Sequence, residues 1–396
     1  MLNNWPRLLS LALAFLMSMF FRSYFGAVGP MIAADVRLDP SGYGYVASAF
    51  FISFGLLQIP LGAAFDHFGA KTPMAVLMVA GALGAAMVGT ARTLGYLIAA
   101  QALLGIGCAP IFMGVVYELG RSEDRATAQR KIATVSAIGS LGALFSASPL
   151  VWLSELAGWR GAMFITAMAM VLCAAAITFT PDAAGAEEQY EDVPTAPSTG
   201  LIYLMPICLT LSLGGTFRNA WAGPYLSEMF SADQRLSGLA LTIVSVVGIA
   251  TSFAIPLLIS RLSARRIIVL SMGLATLGTA AQAMSPGSSF VAAVSLISLL
   301  YSIGNLHPLV MAEAQTIMPS ARRGLLLGLL NTLVFFGVAI SSSLFGWIAQ
   351  KDDGPSTTFQ IILAVTAISL AIALAAYLMR PTGKLTSKPR PPPPSD

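Results

Sequence analysis

The sequence predicts an all-α membrane protein in which twelve transmembrane helices form two pseudo-symmetric six-helix bundles. Three observations carry this. The 396-residue chain is 56% hydrophobic and 10% charged, whereas soluble globular chains carry about 25% charged residues. Its apolar residues fall into twelve runs, most of them near the roughly 20 residues that a spanning helix needs. A costly feature also occurs twice at matching places: Arg22 lies inside the first run and Arg218 inside the seventh.

In the first half the runs are Leu8–Ala33, Tyr43–Ala64, Thr72–Thr90, Leu94–Tyr117, Ala133–Leu153 and Arg160–Thr180. In the second they are Leu201–Phe230, Gly238–Leu258, Ile267–Met284, Ser289–Ala312, Gly324–Ile348 and Thr358–Met379. The first run follows Asn3, Asn4 and Arg7 in the manner of a signal peptide, but it is too long and contains Arg22. It therefore reads as a retained first helix.

The loops between runs fix the order by their charge. If the amino terminus is cytoplasmic, that side holds Arg7, Lys71, Arg121, Arg125, Arg130, Lys131, Arg261, Arg265, Arg266, Arg322, Arg323, Arg380, Lys384, Lys388 and Arg390. The other side holds Arg37, Arg92, Arg160, Arg235 and Lys351. This imbalance fits the excess of Lys and Arg in cytoplasmic loops. It also supports the helix count, because a missed helix would scramble the alternation. The expected location is a plasma membrane, of the bacterial inner-membrane kind, with both termini cytoplasmic. The net charge of +4 then reports topology, and no nucleic-acid partner is expected.

Pro181 to Gly200 holds Asp182, Glu187, Glu188, Glu191, Asp192 and three prolines, with no Lys or Arg. It reads as a cytoplasmic linker between residues 1–180 and 201–380. Residues 381–396 contain Pro389 and Pro391 to Pro394, and read as a disordered, Pro-rich cytoplasmic tail with polyproline character. Cys108, Cys173 and Cys208 all fall in apolar runs, which excludes a disulfide framework and a zinc-finger spacing. No metal site or cofactor is expected. With two histidines, no G-x-x-x-x-G-K-[ST] and no G-x-S-x-G, the chain is not read as an enzyme.

The two halves repeat. Phe21-Arg22 and Phe217-Arg218 are followed by Gly29-Pro30 and Gly223-Pro224. Each run exits through Asp-x-Arg-Leu, at Asp35 to Leu38 and Asp233 to Leu236. Helix four carries Gly105, Gly107 and Pro110 and ends at Glu118; helix ten carries Gly304 and Pro308 and ends at Glu313. Repeated halves about an axis normal to the membrane put a substrate site at their interface, near the midplane.

The second loop reads Gly62-Ala-Ala-Phe-Asp66-His67-Phe-Gly69-Ala-Lys71. The glycines suit a tight turn, and Asp66 is expected to cap the following helix. This stretch resembles the signature of the major facilitator superfamily between helices two and three, Gly-x-x-x-Asp-Arg/Lys-x-Gly-x-Arg/Lys. The resemblance covers Leu8 to Arg380 and implies the major facilitator fold, with a gating role for Gly62, Asp66, Gly69 and Lys71. The pattern departs at His67, where the family has Arg or Lys, and at Gln101, where the helix-four motif has Arg. The second copy, Ser260 to Arg266, keeps the basic residues and loses the acidic one. Helix five, with Gly139, Ser140, Gly142 and Pro149, lacks the Gly-Pro core of the drug-antiporter signature. The paired arginines look like those of organophosphate:phosphate antiporters, in which one Arg from each half clamps the anion.

An intramembrane charge costs roughly 2.5–3.5 kcal/mol on insertion scales and marks a pathway or site. Guanidinium suits bidentate binding of carboxylate or phosphate. Arg22 and Arg218 are therefore read as holding a small organic or phosphorylated anion. Tyr24, Phe25 and Trp221 are expected to wall the cavity; Gln101, Asn219, Tyr301, Asn305, His307 and Asn331 supply further polar groups. The structural alternative is that each arginine bonds helix-end carbonyls, and that the amides bond across helices. His307 is the candidate for proton coupling, since no carboxylate lies mid-helix. The expected partners are an anionic small molecule and the lipid bilayer, with the protein a monomer. The leading function is an antiporter working by alternating access. Two alternatives stay open: a proton-driven exporter of drugs or other amphiphiles, and a non-transporting membrane sensor or assembly partner.

Overall fold

Pro, Gly and Ser decide where the helices of this protein bend, and the bends decide what the site is made of. The computed structural model describes residues 5–122, 125–179, 198–259, 261–315, 323–351 and 354–380. The linker, apart from a 3-10 turn at Ser198–Tyr203, and the tail lie outside these residues. The fold is all-α, with two six-helix bundles. Among the described residues, eleven helices are long and apolar enough to cross a membrane.

Helix one comprises Trp5–Ser23 and Phe25–Val36; helix two is Pro40–Phe68, helix three Lys71–Thr90 and helix four Leu94–Ser122. The fifth crossing departs from the expected run at 133–153. Its helix starts at Arg125 and stops at Phe145, and the chain re-enters a helix at Ser148. Pro149 has no N–H to bond the Phe145 carbonyl four residues back and its ring crowds that carbonyl, so the helix stops at Phe145 and restarts after the non-helical Ala147. Ser148–Thr178 then contains the end of the fifth crossing and all of the sixth, reversing at Gly158 with φ of 69°. That left-handed conformation costs glycine little.

Helix seven is assembled from Met205–Leu211, Leu213–Thr216, a π-helical segment Phe217–Trp221, and Ala222–Phe230. Helix eight is Gln234–Ile259 and helix nine Ala264–Met284. Helix ten passes through a 3-10 turn at Gly304–Leu306, between Phe290–Ile303 and His307–Gln315. Helix eleven is Arg323–Ala349 and helix twelve Pro355–Met379.

We call the end bearing Trp5 and Arg380 the terminal end, and the other the distal end. Helices two and eleven show how the halves lean. At the distal end a Cβ added to Gly44 would strike the Ser342 carbonyl, and one at Gly346 would strike the Pro40 carbonyl. Ser48 Oγ there donates to the Ala339 carbonyl at 2.7 Å. Small residues that let backbones approach this closely are the usual glue of membrane helices. Further along, a Cβ added to Gly55 would lie tightly, at 3.3 Å, against the Phe335 side chain. At the terminal end Gly62 and Gly328 both face open space. The two helices therefore diverge from distal to terminal end.

Ion pairs at the terminal end tie each half to itself. Arg7 pairs with Glu118, joining helices one and four. Glu313 pairs with Arg380 at 3.1 Å and accepts from Tyr377 Oη at 2.6 Å, joining helices ten and twelve. At the distal end Arg235 and Glu155 pair across the halves at 2.7 Å.

Packing of this kind leaves little room at Gly142, where a Cβ would collide with the Leu16 carbonyl. We expect Gly142→Ala to lower stability by about 1–3 kcal/mol, as overpacking does. Gly62→Ala, with open space beside it, is expected to be neutral or slightly stabilising. Thermal unfolding of the two variants in detergent checks the contrast.

Candidate functional site

Two kinds of local irregularity release backbone carbonyls in the middle of this molecule. Proline has no N–H and so frees the carbonyl four residues before it. Pro224 frees the Ala220 carbonyl, which accepts from Tyr43 Oη of the other half at 2.6 Å. A slip in hydrogen-bond register does the same. Ala27 N donates to the Tyr24 carbonyl, one residue short of Ser23, its α-helical partner. Ala147 N likewise donates to the Leu144 carbonyl and passes over Ala143.

Arg218 takes up both carbonyls released by register slips. It is 0% exposed. Its Nη1 donates to the Ser23 carbonyl at 3.3 Å and its Nη2 to the Ala143 carbonyl at 2.5 Å. Nη2 also reaches Ser146 Oγ at 3.3 Å, and Nε reaches Ser245 Oγ at 3.1 Å. Ser23, Ala143 and Ser146 belong to the first half; Ser245 belongs to the second. In this conformation the carbonyl-binding alternative therefore holds at Arg218. The π-helical segment that carries it is a geometry that often marks functional sites.

Arg22 is treated differently. It makes no hydrogen bond or ion pair among the described residues, and its Nε is buried without a partner. Its guanidinium carbon lies 4.8 Å from the Phe54 ring centroid and 5.3 Å from that of Phe335. Those rings come from helices two and eleven, one from each half, and each cation–π contact is worth about 0.5–2 kcal/mol. Cys108 and Tyr301 lie within electrostatic reach of Arg22, and Arg22 within reach of His307. Tyr301 is also within reach of Arg218.

The other predicted residues divide between these surroundings. Tyr24, Phe25 and Trp221 are buried in an aromatic layer at the closed distal side. Phe25 lies 4.8 Å from Tyr43, Tyr43 lies 5.4 Å from Trp221, and Trp221 lies 6.0 Å from Phe345. Beyond this layer is a separate distal cavity of about 330 Å³, lined by Asp39, Tyr43, Trp221, Glu228 and Phe359 among others. Asn305 Nδ2 bonds the Gly248 carbonyl at 2.8 Å, a contact within its own half. Asn331 Nδ2 reaches Gln58 Oε1 of the other half at 3.4 Å. His307 opens the second segment of helix ten, directly after the 3-10 turn.

Six of the predicted polar residues have a buried atom with no hydrogen-bond partner among the described residues. These are Arg22 Nε, Tyr24 Oη, Gln101 Oε1, Asn219 Oδ1, Trp221 Nε1 and His307 Nε2. Such atoms are uncommon, because each costs about 1–3 kcal/mol. Their concentration in this set distinguishes it from an ordinary helix interface.

The stretch from Gly62 to Lys71 lies at the terminal end, where Gly69 has φ of 70° and makes the turn. Here one expectation is corrected. Asp66 does not cap helix three; it sits in the last turn of helix two, and the residue before helix three is Ala70, with no side-chain cap. Helix two simply runs further than expected, to Phe68, leaving a two-residue turn.

Sequence reasoning missed Gln58, Phe54, Phe335, Tyr43, Ser146 and Ser245. Gln58 carried a legible signal, a glutamine within an apolar run, and its Nε2 bonds the Ala109 carbonyl at 3.3 Å. The serines carried none, since their role depends on where the Ala143 carbonyl is released. Tyr43→Phe leaves the Ala220 carbonyl unpaired and is expected to cost about 1–3 kcal/mol of stability. Tyr45→Phe, at an exposed position, is the control that should leave the melting temperature unchanged.

The model of the Major Facilitator Superfamily matches this chain twice, over residues 11–219 and 204–396. The probable galactarate/D-glucarate transporter GudP of Bacillus subtilis is 32% identical over 165 residues, covering 39% of this chain and 35% of that protein. An uncharacterised transporter of the same superfamily from Mycobacterium tuberculosis is 24% identical over 166 residues, covering 41% of this chain and 28% of that protein. The matched regions thus span about a third of the length of these relatives. Among solved structures, an inward-facing, occupied bacterial homologue of the human lysosomal transporter Spinster superposes with a TM-score of 0.73 at 16% identity, covering 94% of this chain and 96% of that one. The nucleoside transporter NupG superposes with a TM-score of 0.72 at 16% identity, covering 95% of this chain and 99% of that one. With matches reaching from residue 11 to residue 396, two bundles of six helices and a fold shared along nearly its whole length, this chain belongs to the Major Facilitator Superfamily.

Proposed function

We propose that this protein is a secondary transporter of a small organic anion that carries hydroxyl groups, moved by alternating access. Its family is one of transport proteins, and it is a transport protein rather than an enzyme. The observation that carries the reading is Arg22, an intramembrane cation with no ion pair or hydrogen bond among the described residues. An intramembrane charge of that kind, half-buried with its Nε enclosed, is costly unless water or a counter-ion joins it.

The hydroxyl groups follow from the neutral atoms. Gln101 Oε1 and Asn219 Oδ1 are acceptors and need a donor, while Trp221 Nε1 is a donor and needs an acceptor. A bare carboxylate supplies acceptors alone; a hydroxy acid supplies both. The resemblance to a protein named as a galactarate/D-glucarate transporter supports the same class, whose members are polyhydroxylated carboxylates.

In this reading Arg22 holds the anion while the distal side is closed. Arg218 becomes the second cation of the pair once its present partners separate. The termini are cytoplasmic, as the loop charges favour, so the terminal opening faces inward. Residues 1–180 and 201–380 rock about the linker, the protein works as a monomer, and Gly62, Asp66, Gly69 and Lys71 gate the cytoplasmic side. His307, with Nε2 unpartnered among the described residues and near Arg22, serves as the proton-coupling residue if transport is proton-linked.

Thermal stabilisation of the purified protein tests the substrate class. A ligand at 100 times its dissociation constant should add about 2.7 kcal/mol. We expect galactarate or a related sugar acid to stabilise, inorganic phosphate and simple dicarboxylates to do so less, and Arg22→Ala to weaken binding at least roughly tenfold. Stabilisation by cationic amphiphiles alone, indifferent to Arg22, would replace this reading with that of a drug exporter.

A further inference from the structure

We infer that Arg218 is the lock that holds the distal side shut, fastening helices one and five of the first half to helices seven and eight of the second. The inference does not depend on which molecule is transported. It rests on what the guanidinium holds. Every one of its nitrogens has a partner, and its carbonyl partners are those of Ser23 and Ala143. Both carbonyls have lost their usual helical N–H, because Ala27 and Ala147 bond one residue short. An orphaned carbonyl away from water must find a donor. These two, on different helices of one half, find the same arginine from the other half.

The surroundings make the fit a close one. Gly26 backs directly onto the Arg218 carbonyl, so helices one and seven touch at this level without an intervening side chain. Ser146 Oγ also donates to the Ala143 carbonyl at 2.8 Å, while Ser245 Oγ donates to the Leu241 carbonyl of its own helix at 2.8 Å and lies 3.3 Å from the Ala143 carbonyl. The cluster is thus a network of one cation, two serines and the carbonyls of Ser23, Ala143 and Leu241. Parting the halves at the distal end must break the Ser23, Ala143 and Ser146 bonds together, leaving Ser245 as the partner within the second half. No carboxylate pairs with Arg218 among the described residues. A carboxylate would hold the cation more tightly, whereas carbonyls and hydroxyls hold it through geometry that a small separation destroys.

The test is a ligand-free distance measurement, so its failure is separable from failure of the anion reading. Spin labels are placed at Leu156→Cys and Ser288→Cys, exposed positions at the distal end of opposite halves. A second pair at Phe68→Cys and Met379→Cys reports on the terminal end. Both pairs use a background with Cys108, Cys173 and Cys208 changed to Ala. Pulsed electron paramagnetic resonance on the parent should give a dominant short distal distance. In Arg218→Ala the ratio of closed to open populations at the distal pair should fall roughly tenfold or more, a change that loss of a single hydrogen bond to a charged group suffices to cause. Should that variant fail to fold, Ser146→Ala combined with Ser245→Ala keeps the charge, removes the hydroxyl partners and should shift the same population in the same direction. A purely structural role lowers the melting temperature and leaves the distal distances of folded protein unchanged; that result, in either variant, overturns the lock.

Discussion

A carbonyl without a donor inside a membrane is the constraint on which this structure turns. Water is absent, so every released carbonyl must be met by the protein itself. The chain releases several, by proline at Pro224 and by register slips at Ala27 and Ala147, and then satisfies them from the opposite half. The halves therefore adhere through backbone carbonyls that helix breaks leave available to donors of the opposite half. Along helices two and eleven the same economy appears as close backbone approach through Gly44 and Gly346 at one end, with open space beside Gly62 and Gly328 at the other. Closure at one end and divergence at the other are thus two results of one distribution of small residues and helix breaks.

The two arginines make the asymmetry concrete. They match in sequence, each following a phenylalanine and preceding a Gly-Pro pair, yet their surroundings differ entirely. Arg218 is satisfied by carbonyls and hydroxyls; Arg22 rests on two phenylalanine rings with its Nε unpartnered among the described residues. A symmetric pair of cations would resist being brought together. With Arg218 given neutral partners in this conformation, the proposed transport role gives Arg22 the anion and brings in Arg218 only once the halves have parted. The repeated Asp-x-Arg-Leu exits differ in the same way: Asp35 pairs with Arg160 inside its own half, while Arg235 pairs with Glu155 across the halves.

Much of the architecture was legible. Spans of apolar residues, their number and their division into two halves follow from hydropathy and from the repeat, and eleven of the twelve reappear as apolar helices among the described residues. The fifth run was displaced because Arg125 to Ser136 is too polar to read as membrane helix on its own, and because Pro149 hides a break inside an otherwise apolar stretch. The expectation for Asp66 fails because helix two continues through the polar Asp66 and His67 to Phe68, whereas apolar patterning ends the run at Ala64. Gln58 was visible but unweighted; Ser146 and Ser245 were invisible, since a serine in an apolar run says nothing about which carbonyl it will find.

By itself the sequence determined the solvent, the number of crossings and the presence of two charges that lipid could not be asked to hold. Those are consequences of composition and spacing, and hydrophobic burial enforces them locally along each run. Tertiary structure alone decided what each charge does. Whether an arginine meets a ring, a carbonyl or an open cavity depends on helix breaks one residue long and on backbones from opposite halves brought into contact. Such pairings are set by distances between residues as far apart as Ser23 and Arg218, and no local pattern in the chain encodes them.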